Sequence, residues 1–220
     1  MFAGVARRYD LLNRLLSLRR DVAWRRELVG ALALAPPGRV LDCATGTGDV
    51  VLTLRQGGHV GTDFCLDMLA LARRKASQRG RAVAWVGGDA LALPFRDASF
   101  AAVTVAFGVR NFANFEGGLA ELRRVLVAGG VLAILEFQDP PWRAVRWVSR
   151  VWGRLVVAPV GRLLSDDGDA YAYLPASVVN FADGKQVAAA MERVGFEVLV
   201  HRNLSLGIAA LTVGRLGEVL

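Results

Sequence analysis

The stretch Arg39-Val-Leu-Asp-Cys-Ala-Thr-Gly-Thr-Gly-Asp49 decides the fold of this 220-residue chain, together with one acid, Asp63, at the end of the next apolar run. Val40 and Leu41 are strand formers that lead into Asp42. Gly46 and Gly48 then break the pattern, and an apolar, helix-like segment is expected from about Val50. Strand, glycine turn, helix, strand and acid make the front half of a nucleotide-binding α/β unit. Glycines let backbone approach a ligand where a Cβ would collide. An acid at the next strand end can accept both hydroxyls of a ribose.

The details separate two cofactor classes. A dinucleotide fingerprint reads G-x-G-x-x-G and faces a pyrophosphate. Here Val51 stands where the third glycine belongs, and Asp49 would repel a phosphate. Acids at Asp42 and Asp49 suit a cationic ligand. S-adenosylmethionine, with its sulfonium and ammonium, fits that requirement, and its ribose fits Asp63. The turn resembles the first motif of class I methyltransferases. Gly-x-Gly alone would read as an ordinary strand-to-helix turn; Asp42, Asp49 and Asp63 in register decide for the cofactor.

Length and composition predict a single domain over residues 1–220. Hydrophobic residues make up 54% of the chain and charged residues 21%. No run reaches the roughly 18 uninterrupted apolar residues of a membrane-spanning helix. The arginine-studded first 30 residues carry no apolar signal-peptide core, so a cytoplasmic location is expected. Cys43 and Cys65 read as small core residues. His59 and His201 are isolated, and no metal site is expected. The net charge of +7 is carried almost wholly by arginine, Lys75 and Lys185 being the only lysines. That balance raises nucleic acid or an anionic membrane as a partner.

Along the chain, residues 1–36 form an arginine-rich helical lead-in that ends at Pro36-Pro37. Strands are expected at Val40–Ala44, Val60–Phe64, Val83–Val86, Phe100–Phe107 and Val131–Phe137. Helices are expected at Leu66–Ser77 and Phe115–Val127, the second stopped by Gly129-Gly130. This alternation predicts an α/β fold whose parallel sheet is covered by helices on both faces. After an excursion over residues 140–183 come a helix at Gln186–Val194 and strands at Glu197–Asn203 and Ala209–Arg215. Their short link predicts an antiparallel hairpin.

The chain resembles the menaquinone and ubiquinone C-methyltransferase family over nearly its whole length. The matching residues are Arg8-Tyr9-Asp10-Leu-Leu-Asn13, Trp24-Arg25-Arg26, Leu93-Pro94-Phe95, Phe107-Gly-Val-Arg-Asn-Phe112, Leu135-Glu-Phe137, Tyr171-Ala-Tyr-Leu-Pro175 and Asn203-Leu-Ser-Leu-Gly207. The early Tyr-Asp-x-x-Asn and the Phe-Gly-x-Arg-Asn are far more specific than the glycine turn. The resemblance implies a class I, Rossmann-like methyltransferase with a central seven-stranded, mostly parallel sheet. It places Thr47 beside the methionine part of the cofactor, with Gly46 and Gly48. It puts Asp63 and Phe64 at the ribose side, and Asp89 and Ala90 at the adenine. Ala106 stands where some relatives carry serine. The alternative for Asp89 is a helix cap before Ala90–Leu93.

The implied chemistry is methyl transfer from S-adenosylmethionine to a ring carbon of a polyprenyl quinol whose hydroxyl has lost its proton. Arg110 and Asn111 are the first candidates beside that ring. Arginine is a poor base but can stabilise a phenolate. The alternative is an ion pair of Arg110 with Glu136 or Asp139. Asp166 and Tyr171 are further catalytic candidates, and Asp166 could serve as base. The family pattern makes Tyr9, Asp10 and Asn13 a lid over the cofactor, with Tyr9, Asn13 and Tyr173 as substrate contacts. Demethylmenaquinol is the expected substrate and a methoxy-benzoquinol the alternative.

Taken as a helix, Trp142–Val157 puts Arg143, Arg146, Arg150 and Arg154 on one stripe and Val145, Val148, Trp152 and Leu155 on another. Trp142 and Trp147 sit at the borders. That pattern fits a helix lying in a membrane interface, so a peripheral position on the inner face of the cell membrane is expected. Solvated arginines on a core-facing helix are the plainer alternative. An RNA or protein methyltransferase would need an Asn/Asp-Pro-Pro-aromatic loop where Phe107–Asn111 stands. Stacking platforms interleaved with lysine are also missing, so nucleic acid is not expected as a partner. A silent scaffold is opposed by the intact Asp42, Gly46, Gly48 and Asp63 set. A homodimer remains open.

Overall fold

The run Val40–Cys43 forms strand β1, and all four of its residues are buried, as in a strand covered on both faces. This computed structural model describes residues 17–55, 57–157 and 183–217, with residues 14, 159, 178 and 181. Helix α1 (Arg20–Ala31) precedes β1. After β1 come β2 (Val60–Asp63), α2 (Leu66–Gln78), β3 (Ala84–Gly87), β4 (Phe100–Ala106), α3 (Phe115–Arg124) and β5 (Leu126–Phe137). Helix α4 (Arg143–Trp152), helix α5 (Gly184–Arg193) and strands β6 (Phe196–Leu204) and β7 (Ala209–Leu216) complete the order.

The seven strands form one sheet in the order β3-β2-β1-β4-β5-β7-β6. Strands β1 to β5 pair in parallel, and β7 lies antiparallel between β5 and β6. The strand order reverses between β1 and β4, and open α/β sheets bind ligands at the carboxyl ends of strands beside such a switch point.

Alternation along β5 divides the core. Leu132 and Ile134 face a cluster built with Leu119 and Leu122 of α3 and Val187, Ala190 and Met191 of α5. Val131, Ala133 and Leu135 face the opposite cluster, which holds Trp24 and Leu28 of α1. Helices therefore cover both faces. The helix ends are set locally. Asn114 accepts a hydrogen bond from the Gly117 amide at the start of α3. Asp183 and Gln186 form a reciprocal capping box on α5.

Three expectations need correction. The apolar segment after the glycine turn is a single 3-10 turn, Val51–Thr53, before the chain extends at Leu54. The turn has used Gly46 (φ +55) and Gly48 (φ +82), left-handed positions that a regular helix cannot incorporate. Second, Gly129 and Gly130 do not stop α3. That helix ends at Arg124, the Val125 carbonyl accepts from the amides of Ser99 and Phe100, and β5 has begun by Leu126. The glycines fall in a register shift, where Phe100 pairs with Leu126 but Ala102 with Val131. Third, the α-helix after Trp142 stops at Trp152 and widens into a π-helical turn, Gly153–Val157. Among the described residues no helix is long and apolar enough to cross a membrane.

Candidate active site

The glycine turn is held from below by a buried acid. Asp42, 1% exposed, accepts from Thr45 Oγ1 at 2.5 Å and from Thr104 Oγ1 at 2.7 Å, tying β1, the turn and β4 together. Burial pushes its pKa up to about 6, against the hydrogen bonds of Thr45, Thr104 and the Val51 amide and the Arg25 charge. The expectation that Asp42 faces a cationic ligand is corrected: its carboxylate is enclosed and positions the turn.

Asp49 is corrected in a different way. Its carboxylate accepts from Lys75 Nζ at 2.5 Å, with Arg25 and Arg14 at 3.8 and 3.9 Å. Burial alone would raise its pKa, but the Lys75 ammonium and the two guanidinium groups hold it below the ordinary range. The charge expected to attract a ligand cation is met by the protein's own cations. Lys75 also donates to Thr47 Oγ1 at 2.9 Å.

Asp63 stands at the end of β2. One carboxylate oxygen accepts from the Gly46 amide at 2.7 Å and the other from the Cys65 amide at 2.8 Å. Burial raises its pKa, opposed by the amides of Cys65, Gly46 and Phe64. Beside it, a Cβ built on Gly46 would meet nothing within 4 Å, whereas one on Gly48 would lie 2.5 Å from the Trp85 ring. One glycine thus leaves the turn open to a ligand; the other makes room for core packing. Phe64 next to Asp63 is 81% exposed. An open backbone face, a strand-end carboxylate with lone pairs to spare and an exposed ring fit an adenosyl group. Asp89 is exposed and accepts from the Leu91 amide at 2.9 Å, so it caps a turn and not the helix considered from sequence. Ala90 is half-buried beside it.

Strained backbone closes both central strands. Ala44 after β1 has φ 53° and Phe107 after β4 has φ 60°. Left-handed residues other than glycine cost about 1–3 kcal/mol and collect at functional sites. The left-handed residue of the Phe107-Gly108 step is Phe107 and not the glycine. Gly108 serves close approach, since a Cβ there would lie 2.6 Å from the Ala44 Cβ. Ala106 is half-buried at the last position of β4.

Arg110, in the 3-10 turn Val109–Asn111, takes the ion pair that sequence analysis named as its alternative. Nη1 donates to Glu136 at 2.5 Å and to the Phe107 carbonyl at 2.8 Å. The two side chains are 8% and 4% exposed. The guanidinium lies 5.7 Å from the Phe137 ring centre, and its buried Nε finds no hydrogen-bond partner among the described residues. Asn111 on the same turn is exposed. Phe107 and Phe137 stack at 4.4 Å, and Trp24 meets Phe137 edge-on at 5.9 Å. Tyr9, Asp10, Asn13, Asp166, Tyr171 and Tyr173 lie outside the described residues.

Sequence reasoning missed Thr45, Thr104 and Lys75 as supports of the site, and it named Glu136 only as the alternative partner of Arg110. Lys75 carried one signal: it is one of two lysines in an arginine-rich chain.

Residues 1–215 match the profile of the ubiE/COQ5 methyltransferase family. The chain is 49% identical to a demethylmenaquinone methyltransferase of Thermus thermophilus, over 97% of this chain and 99% of that protein. It is 46% identical to one of Deinococcus radiodurans, over 97% and 90%. A ubiquinone/menaquinone biosynthesis C-methyltransferase UbiE of Geobacter sulfurreducens is 41% identical over 99% and 87%. Among solved structures, a SAM-dependent methyltransferase of Aquifex aeolicus aligns with TM-score 0.63 at 15% identity, over 87% and 89% of the two chains. The [4+2]-cyclase SpnF aligns with TM-score 0.67 at 17% identity, over 89% and 80%. Likeness at that level carries the fold alone, and the cyclase illustrates how one fold serves different reactions.

Proposed function

The chain belongs to the ubiE/COQ5 methyltransferase family, and we propose that it methylates a ring carbon of a polyprenyl quinol in quinone biosynthesis, with demethylmenaquinol as substrate. The observation that carries this reading is the 49% identity, end to end, with a protein named for that reaction. Family membership implies S-adenosylmethionine as methyl donor. When bound, it supplies an activated methyl group on a sulfonium.

The chain's own residues then have these tasks. Asp63 accepts the ribose hydroxyls while its amide bonds fix the carboxylate in place. Gly46 admits the ligand to the backbone, Gly48 lets the same turn close against Trp85, and Thr47 stands at the methionine part. Phe64 lies at the ribose side, Asp89 and Ala90 hold the adenine, and Ala106 adds backbone contact at the end of β4. Asp42 acts through Thr45 and Thr104 as a positioning residue. On the substrate side, Asn111 hydrogen-bonds a ring oxygen. Arg110 contributes its charge at the phenolate and, through Glu136 and the Phe107 carbonyl, the shape of the turn that presents Asn111. Tyr9, Asn13 and Tyr173 complete the substrate contacts, and Asp166 or Tyr171 takes the hydroxyl proton; once the ring carbon carries the methyl group it loses its own hydrogen as a proton, which restores the aromatic ring. Residues 1–36 form the lid and 140–183 the membrane-side insertion of one domain, which works at the inner membrane surface.

A second reading has its own support: the relative that is 41% identical is named for ubiquinone as well as menaquinone biosynthesis. The test is a purified assay with methyl-labelled S-adenosylmethionine and short-prenyl demethylnaphthoquinol or demethylbenzoquinol. Label in the naphthoquinol is the expected result. Label in the benzoquinol alone selects the second reading, and label in neither removes both.

A further inference from the structure

Two turns at the carboxyl edge of the sheet hold a leucine in water at a backbone cost. Before α1, Leu18 (φ 50°) and Arg19 (φ 61°) are consecutive left-handed residues, and Leu18 is 67% exposed. Between β6 and β7, Ser205 (φ 47°) and Leu206 (φ 59°) repeat the arrangement, and Leu206 is 69% exposed. Leucine gains nothing locally from that conformation. Both turns are nonetheless fastened. The Arg19 amide donates to the Arg14 carbonyl at 2.7 Å, and Ser17 Oγ donates to the buried Asp21 at 2.7 Å. Trp24 Nε1 donates to Ser205 Oγ at 3.0 Å. A Cβ on Gly207 would lie 2.5 Å from Pro141 Cδ, so the second turn presses on the chain that enters α4.

These contacts also place the tips. Trp24 packs on Phe107 and Phe137 at the carboxyl ends of β4 and β5, and α1 then descends toward the start of β1. Leu18, two residues before the helix, therefore projects past the carboxyl edge. Leu206 is held beside Trp24 through Ser205, and Trp142 follows Pro141. Trp142 and Trp147 are 67% and 68% exposed. Arg19 and Arg20 follow Leu18 in the chain, Arg143 follows Trp142, and Arg154 lies in the turn after α4; all four are exposed. Among the described residues these four arginines enter no salt bridge, whereas Arg146 and Arg150 are tied to Asp139.

We propose that the Leu18 and Leu206 turns are strained wedges that insert into the interface of an anionic phospholipid bilayer, beside Trp142 and Trp147, with the exposed arginines on the headgroups. The occupant follows from charge complementarity: exposed apolar tips on segments that also carry exposed, unbridged arginines match acyl chains beneath anionic headgroups. The proposal rests on the reading that the substrate is dissolved in a bilayer, and it adds the elements that bring the active-site edge onto that bilayer.

The test is flotation of the full chain with vesicles of phosphatidylglycerol and phosphatidylcholine. Wild type is expected to float. The double variant Leu18→Asn, Leu206→Asn should float roughly tenfold less or worse, since each leucine loses the transfer of its side chain from water. Its melting temperature should not fall, because asparagine adopts the left-handed region more readily than leucine. The glycine pair Leu18→Gly, Leu206→Gly should lose flotation equally while melting higher, which separates lost insertion from lost folding. Double variants that float like wild type overturn the wedges, as does a wild type that does not float. The quinol assay stands apart. A wild type that floats through its leucines but labels no quinol would support the wedges and sink the activity.

Discussion

The carboxyl edge of the sheet has two halves that use one backbone device for opposite ends. At β1 and β4, left-handed Ala44 and Phe107 sit among buried partners, and every nearby charge is answered: Asp42 by two hydroxyls, Asp49 by Lys75, Arg110 by Glu136. Elsewhere on that edge, left-handed Leu18 and Leu206 stand in water, and the exposed Arg19, Arg20, Arg143 and Arg154 enter no salt bridge among the described residues. Strain in the first half fixes a site against movement. In the second half it displays surface that has meaning only against something outside the chain.

The largest expected effect breaks the first half. Arg110→Ala leaves Glu136 as an uncompensated buried charge and should cost about 3–5 kcal/mol in denaturant unfolding. A loss below about 1 kcal/mol would mean that the pair is not buried in solution. Asp63→Ala removes two amide acceptors and the ribose acceptor together. At roughly 1.5–3 kcal/mol for a charged hydrogen bond, calorimetry should show S-adenosylmethionine binding weakened tenfold or more in a folded variant. Unchanged affinity would remove Asp63 from the site.

Asp42 provides a pH test of the same half. Its folded pKa of about 6 lies above the ordinary 3.8. Between those values the folded state holds more protons than the unfolded one, so this group's contribution to stability is present at low pH and is lost as pH rises through 6. Asp42→Asn should flatten the fall in stability between about pH 4 and pH 6. An unaltered slope would mean that the carboxylate is not enclosed.

The smallest effects sharpen the second half. Surface arginines contribute roughly 1 kcal/mol each at an anionic membrane. Arg143→Gln with Arg154→Gln should weaken vesicle binding more than Arg146→Gln with Arg150→Gln, because Asp139 already engages the latter two. Equal losses would show that the Asp139 pairs open at the membrane.

The two halves were also unequally legible in the sequence. Strand β1, the glycine turn, Asp63 and the β6–β7 hairpin follow from local pattern, because strand period and turn chemistry act over a few residues. The single 3-10 turn in place of a helix after Gly48 was not legible, since apolar Val50-Val51-Leu52 suits either. The turn ends on left-handed Gly48, which lies against Trp85 of β3, a neighbour distant in sequence. The supports of the site were hidden for the same reason. Thr104 reaches Asp42 across 62 positions, and Lys75 reaches Asp49 across 26. The arginine stripe of α4 was visible as a pattern, but Asp139, which ties up two of its members, acts through the chain's fold at the exit from β5.

The central claim is quinol C-methylation, and it is tested most directly in a host strain that lacks its own enzyme. The quinones of that strain should be extracted with and without this protein and weighed by mass spectrometry. The account predicts that demethylmenaquinone gains the mass of one CH2, a methyl group in place of a ring hydrogen, when the protein is present. Unmethylated naphthoquinone and benzoquinone pools in the presence of folded, S-adenosylmethionine-binding protein would contradict it.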